Sequence, residues 1–169
     1  MGKNDTVSAR LIHAQQAISC TRKVATIGAS NKIGDVLGSL GLSVLCVAVQ
    51  RQLVKDPSPA CLKDIPQWIT AAAHKLLIYG CGNCGEQTAY AMVLLYQLGI
   101  RSLDYMTVAG GDHAFLVIGS ADKGPASSFK SWGDNAVVCD PWDNKAYLGK
   151  TAAGKKAGAK TIYSLARVE

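Results

Sequence analysis

Apolar positions change their spacing along the chain. Val7, Leu11, Ala14 and Ile18 recur at helical intervals behind Asp5 or Thr6 as a capping residue, which predicts an opening helix. A Gly/Ser/Asn-rich break at 28–34 precedes a second apolar stretch, Val36 to Val54. Asp56-Pro57-Ser58-Pro59 is the clearest punctuation in the chain. Trp68, Ile69, Ala72 and Leu76 predict a helix from Pro66 to about Tyr79, ended by Gly80. Cys84 to Leu98 is almost wholly apolar and reads as a helix closed by Gly99. Asn83 and Glu86 form a capping-box pattern at its start. Strand-like segments follow at 103–108, 113–118 and 136–140. The last two are apolar on both faces, as central strands of a covered sheet would be. The loop 119–135 and the Lys/Ala/Gly tract 150–160 read as exposed.

Helices first and strands afterwards predict an α+β architecture in one domain over 1–169. A helical N-terminal subregion spans 1–57, and the core spans 58–169. Val36–Val54 is too apolar to stand alone in water, so the N-terminal helices are expected to pack against that core.

Composition narrows the function classes. At 169 residues the chain can bury a sizeable core; 49% hydrophobic and 18% charged residues exclude a disordered or fibrous chain. The formal net charge of +6 favours acidic partners in general. The basic residues are scattered, however, with no aromatic platform among them, so no nucleic-acid partner is expected. The first fifteen residues are polar, unlike a secretory signal peptide. Leu40–Val49 is about half the ~20 residues that span a bilayer, so no stable membrane insertion is expected. Met1-Gly2 with Thr6 fits the spacing of an N-myristoylation motif, and Lys3 and Asp5 beside the glycine count against it. The six cysteines follow no disulfide-scaffold spacing. Cys46 and Cys139 lie in apolar runs as small buried hydrophobes, and reduced thiols are the default.

Candidate chemistry concentrates after Gly80. With Asn83 as cap, Cys84 occupies the first helical turn, where free backbone N–H groups and the helix dipole favour a thiolate. The same N–H groups can receive an oxyanion, and Gly85 leaves the thiol open. His113 begins an apolar strand; Asp140 ends another and is followed by Pro141-Trp142. In adjacent strands, Asp140 can bond one ring nitrogen while the other faces Cys84, giving nucleophile, base and orienting group. Asp112 points to the other side of an extended segment, which makes Asp140 the better partner. His13 and His74 sit in polar helical positions and read as solvated. Trp132 and Trp142 read as packing or cleft-lining residues.

Three segments carry a resemblance: Gly-Asn-Cys-Gly-Glu (82–86), Asp-His-Ala-Phe-Leu-Val-Ile-Gly (112–119) and Cys-Asp-Pro-Trp (139–142). Together they resemble the core of papain-like cysteine enzymes, most closely the bacterial effector and toxin branch of proteases and glutamine deamidases with a transglutaminase-like core. The resemblance implies a papain-like fold with the cysteine-bearing helix packed on a short antiparallel sheet. It also implies Cys84 as nucleophile, His113 as base, Asp140 as third member, and no cofactor or metal. The implied partners are a protein substrate in a target cell and a cognate chaperone or immunity protein. The implied setting is a secreted effector acting in the target-cell cytoplasm, otherwise a cytoplasmic protein. The chain departs from the papain pattern where a glutamine should precede the cysteine, since Ile78, Tyr79 and Gly80 stand there. Gln67 is the nearest candidate for that oxyanion role, beside Asn83, Gly85 and Trp142 as substrate-binding residues.

Other readings remain. Cys81-Gly-Asn-Cys84 is a C-x-x-C, which suits a thiol redox protein or, with His113 and Cys139, an irregular zinc set. In the hydrolase reading, Cys81 is a candidate redox partner that would silence Cys84 by forming a disulfide; the alternative is that it packs in the core. An arylamine-type acyltransferase would share the triad in a longer chain, and a catalytically inactive binding module would need none of it.

Overall fold

The computed structural model describes residues 6–53, 65–108, 113–122, 126–127, 131–152 and 162–169. The Asp56–Pro59 punctuation, Cys61, Asp112 and most of the 150–160 tract lie outside the described residues.

Helix α1 (Val7–Val24) begins where Thr6 Oγ1 accepts the Ala9 N–H at 3.2 Å. The second apolar stretch is broken in two, α2 (Ile33–Gly38) and α3 (Leu42–Leu53), around Leu40 and Gly41 at φ 53° and 84°. Helix α4 (Ile65–Tyr79) ends at Gly80, whose φ is +67°, and α5 runs Cys84–Gln97. Between α4 and α5 the chain meets the glycine-rich break. The Ile27 N–H donates to Gly80 O at 2.8 Å, and the Gly82 N–H donates to Gly28 O at 3.2 Å. The Gly/Ser/Asn-rich break therefore lies against the turn that leads into Cys84.

The strands β1 (Leu103–Val108), β2 (Ala114–Ile118), β3 (Ala126–Ser127), β4 (Val137–Asp140), β5 (Lys145–Leu148) and β6 (Ile162–Val168) form one sheet. Its order is β3-β6-β1-β2-β4-β5 and every pairing is antiparallel. A short helix, α6 (Gly149–Ala152), follows β5. Ala14, Ile18, Ala73, Met92 and Leu95 of the helices pack on Leu103, Leu116, Ile118 and Val137 on one face of the sheet. Trp132 covers the other face with Met106, Phe115, Val117 and Val138. The interior strands β2 and β4 are therefore buried on both faces, which is why their residues do not alternate. The architecture is α+β, helices layered on an antiparallel sheet.

Two expectations change. Helix α1 packs on β4, β5 and α5, but α2 buries no residue and α3 buries only Ser43, Val47 and Gln50. Leu37, Leu42, Val44, Leu45, Val49 and Leu53 face outward instead of into the core. Cys46 and Cys81 are not free thiols: they form a disulfide with Cα atoms 6.2 Å apart, joining α3 to the turn before α5. Apolar surroundings suit a cystine as well as a thiol, so composition alone could not separate the two.

Candidate active site

Strands β2 and β4 pair with Leu116 opposite Cys139, which brings the residue before β2 and the last residue of β4 to one end of the sheet. There His113 Nε2 and Asp140 Oδ2 stand 2.7 Å apart. Asp140 is buried, and its second oxygen accepts the Asp143 N–H at 3.0 Å, which fixes the carboxylate. Across the ring, the Cys84 thiol at the start of α5 hydrogen-bonds to the imidazole. With Nε2 engaged by Asp140, Nδ1 is the nitrogen left for the sulfur. Cys84 itself is only 6% exposed, so the thiol is sheltered, while the imidazole side chain is about a third exposed, at 32%.

Electrostatics follow the geometry. Burial by itself lowers the proton affinity of His113. The hydrogen bonds to Asp140 and Cys84 and the negative charge of both outweigh it, and the imidazole pKa is raised to about 10. The site therefore favours the charged imidazolium form of His113, with Asp140 and Cys84 as the groups that stabilise it. Tyr105 sits beneath the helix start and donates to Gly85 O at 3.2 Å. Burial, then the charges of Cys84 and Glu86, raise its pKa, which keeps the phenol a neutral donor.

The first turn of α5 is held from several sides. Glu86 Oε2 accepts the Asn83 N–H at 2.9 Å within the capping box, and Gln87 Nε2 donates to Gly82 O at 2.8 Å. Asn83 Oδ1 also accepts the Ser30 N–H and hydroxyl, at 2.9 and 3.0 Å. Trp142 meets the His113 ring edge-on at 5.4 Å, and its indole N–H donates to Asn31 Oδ1 at 2.9 Å. Lys32 Nζ lies 5.3 Å from the Trp142 ring centre and donates to Trp142 O at 2.5 Å. Ser30, Asn31 and Lys32 thus reach both the helix cap before Cys84 and the aromatic beside His113. Sequence reasoning missed them because their partners lie 53 to 111 residues away. The only local signal was the Gly/Ser/Asn composition of the break.

Cys84, His113, Asp140, Asn83, Gly85 and Trp142 come together at this end of the sheet; Gln67 and Cys81 do not serve as expected. Gln67 is exposed in the first turn of α4, near Ile69 and Thr70, which line a cavity with Met92, Val93 and Tyr96. That is the far end of α5 from Cys84, so an antiparallel helix pair separates Gln67 from the thiol. Cys81 is fully buried and bonded to Cys46, so it cannot close a disulfide on Cys84 in this form. A Cβ at Gly85 would meet Tyr105 Oη at 3.4 Å, an ordinary contact, so space alone does not demand glycine there. Trp132 belongs to the core. His74 is exposed, whereas His13 is half-buried, its buried Nδ1 without a hydrogen-bond partner among the described residues. The zinc set disperses: Cys81 is oxidised and the Cys139 thiol donates to Ala14 O at 3.6 Å. Burial raises the Cys139 thiol pKa well above its usual value, which leaves it a poor nucleophile or ligand. Scans against models of known protein families and against curated proteins gave no match.

Proposed function

We propose that the protein is a cysteine-nucleophile hydrolase of papain-like type that cleaves an amide bond of a protein substrate. The carrying observation is the chain of contacts from Cys84 through His113 to Asp140, with the sulfur in the first turn of a helix. His113 takes the Cys84 proton through its free ring nitrogen and becomes an imidazolium stabilised by Asp140. The thiolate attacks the amide carbonyl, and the N–H groups of the first turn of α5 face the oxyanion. The imidazolium protonates the departing amine or ammonia, leaving a thioester that water hydrolyses to a carboxylic acid and the free thiol. An amine leaving group makes the enzyme a protease; ammonia from a glutamine side chain makes it a deamidase.

The motifs around the three residues support a bacterial effector or toxin acting on a protein of a target cell. A disulfide suits a chain that passes through an oxidising compartment on its way there. A CxxC redox role is less well supported, because Cys81 is already paired with Cys46. The test is to incubate the protein with target-cell lysate and map mass changes by proteomics. Glutamine-to-glutamate conversion identifies a deamidase and new termini a protease; both must vanish in Cys84→Ala and in His113→Ala. Full activity in Cys84→Ala would overturn the thiol mechanism.

A further inference from the structure

Lys32 is a cation beside the candidate site whose charge no acid balances. Its Nζ donates to Trp142 O at 2.5 Å and lies 5.3 Å from the centre of the Trp142 ring, and it has no carboxylate partner among the described residues. The acids flanking the site are already engaged: Asp35 by Arg22, Glu86 by Arg51, Asp140 by His113 and Asp143 by Lys145. An ammonium carries three N–H donors, and a carbonyl with a ring face neither uses them all nor cancels the charge.

The place of this cation is fixed from both sides. The segment before it is fastened to the turn that leads into Cys84 by the Ile27–Gly80 and Gly82–Gly28 backbone bonds, and to the helix cap by Ser30 on Asn83 Oδ1. Asn31, its neighbour, accepts the Trp142 indole N–H. Lys32 is therefore held half-buried between the cap of the cysteine-bearing helix and Trp142, whose ring meets the His113 ring at 5.4 Å. Those two steps, 5.3 Å and 5.4 Å, put the ammonium within about 11 Å of the centre of the His113 ring. An extended peptide advances ~3.3–3.6 Å per residue, so this is a reach of about three residues from the reacting amide. A carboxylate meeting the ammonium there would strengthen binding about threefold to fivefold, even at the dielectric of water.

We propose that Lys32 is a specificity-determining residue, selecting protein substrates that carry an aspartate or glutamate two or three residues from the amide that Cys84 attacks. The substrate carboxylate accepts from the donors that Trp142 leaves open, and Trp142 keeps the ammonium aimed beside the reacting centre. This inference rests on the hydrolase reading, because it names the kind of substrate that site takes.

The test uses the whole chain, disulfide intact, and two peptides that carry a chloroacetamide group at the position of the target amide. One has glutamate two and three residues to either side, and the other has glutamine there. The Cys84 thiolate displaces chloride, and the rate of thioether formation is read by peptide mapping. The glutamate peptide should react about threefold to fivefold faster, and added salt should shrink that ratio. Lys32→Gln should bring the ratio to about one, and Lys32→Arg, which keeps the charge, should preserve it. The Lys32 side chain makes no capping bond to α2, so its replacement leaves that helix start intact, and circular dichroism checks the fold. Taking the ratio of the two rates cancels any general change in Cys84 reactivity. Equal rates in the wild type overturn the proposal and leave the hydrolase reading standing, as does a preference that survives in Lys32→Gln or disappears in Lys32→Arg. A Cys84 inert to both peptides in the folded protein overturns the hydrolase reading and the proposal with it.

Discussion

Breaking the Cys46–Cys81 disulfide should cost a large part of the protein's stability without dismantling the site. The two residues are 35 apart in sequence, and the loop-closure entropy of such a cross-link is worth about 4 kcal/mol at 25 °C. At this chain length each kcal/mol moves the melting temperature by about 2–4 °C, so reduction should lower it by about 8–16 °C. Dithiothreitol isolates the cross-link, since it leaves both sulfurs in place. The Cys46→Ala/Cys81→Ala double variant should melt lower still, because Cys81 is fully buried and its sulfur is then lost from the core. The turn before Cys84 remains tied by the Ile27–Gly80 and Gly28–Gly82 hydrogen bonds, so reduced protein well below its melting temperature should keep most of its activity. The assay is a circular-dichroism melt with and without reductant, alongside non-reducing peptide mapping of alkylated protein. A melting temperature unmoved by reduction would refute the argument. So would a map joining Cys81 to Cys84, which would restore the redox-switch expectation.

Asp140→Ala should reduce the rate by about 10²–10⁴-fold while leaving measurable activity, because it removes the group that orients His113 and not the nucleophile. The folded His113 pKa, about 10, lies above the ordinary 6.5, so its stabilising contribution is complete below pH 6.5 and lost as pH rises through 10. Urea titrations of wild type and His113→Gln should therefore converge above pH 10, and a constant gap would contradict the assignment. Arg167→Met strips the bidentate partner from Asp104, a fully buried carboxylate, at a cost of about 3–5 kcal/mol in chemical denaturation. An unchanged midpoint would show that the pair contributes nothing.

Local patterning reached most of the elements near the candidate site. The α5 helix, its capping box and the closing Gly99 were legible because each depends on residues within a few positions of one another. Strands β1, β2 and β4 were legible to within a residue at each end, and in β2 and β4 burial on both faces leaves nearly unbroken apolar runs. Strands β3, β5 and β6 were not. They are two residues, four residues and a half-polar seven, and β6 finds its place only by pairing with β1, some sixty residues earlier.

From the sequence alone came the α+β class and the candidacy of Cys84, His113 and Asp140, because residue type and position at an element's end already restrict what a side chain can do. Tertiary structure alone decided four further things: that Cys46 pairs with Cys81, that Gln67 lies at the wrong end of α4, that Ser30, Asn31 and Lys32 wall the site, and that α3 faces its leucines outward. Each depends on which distant segments share a contact. Helical or strand periodicity reports that an element has an apolar side, but not what that side meets.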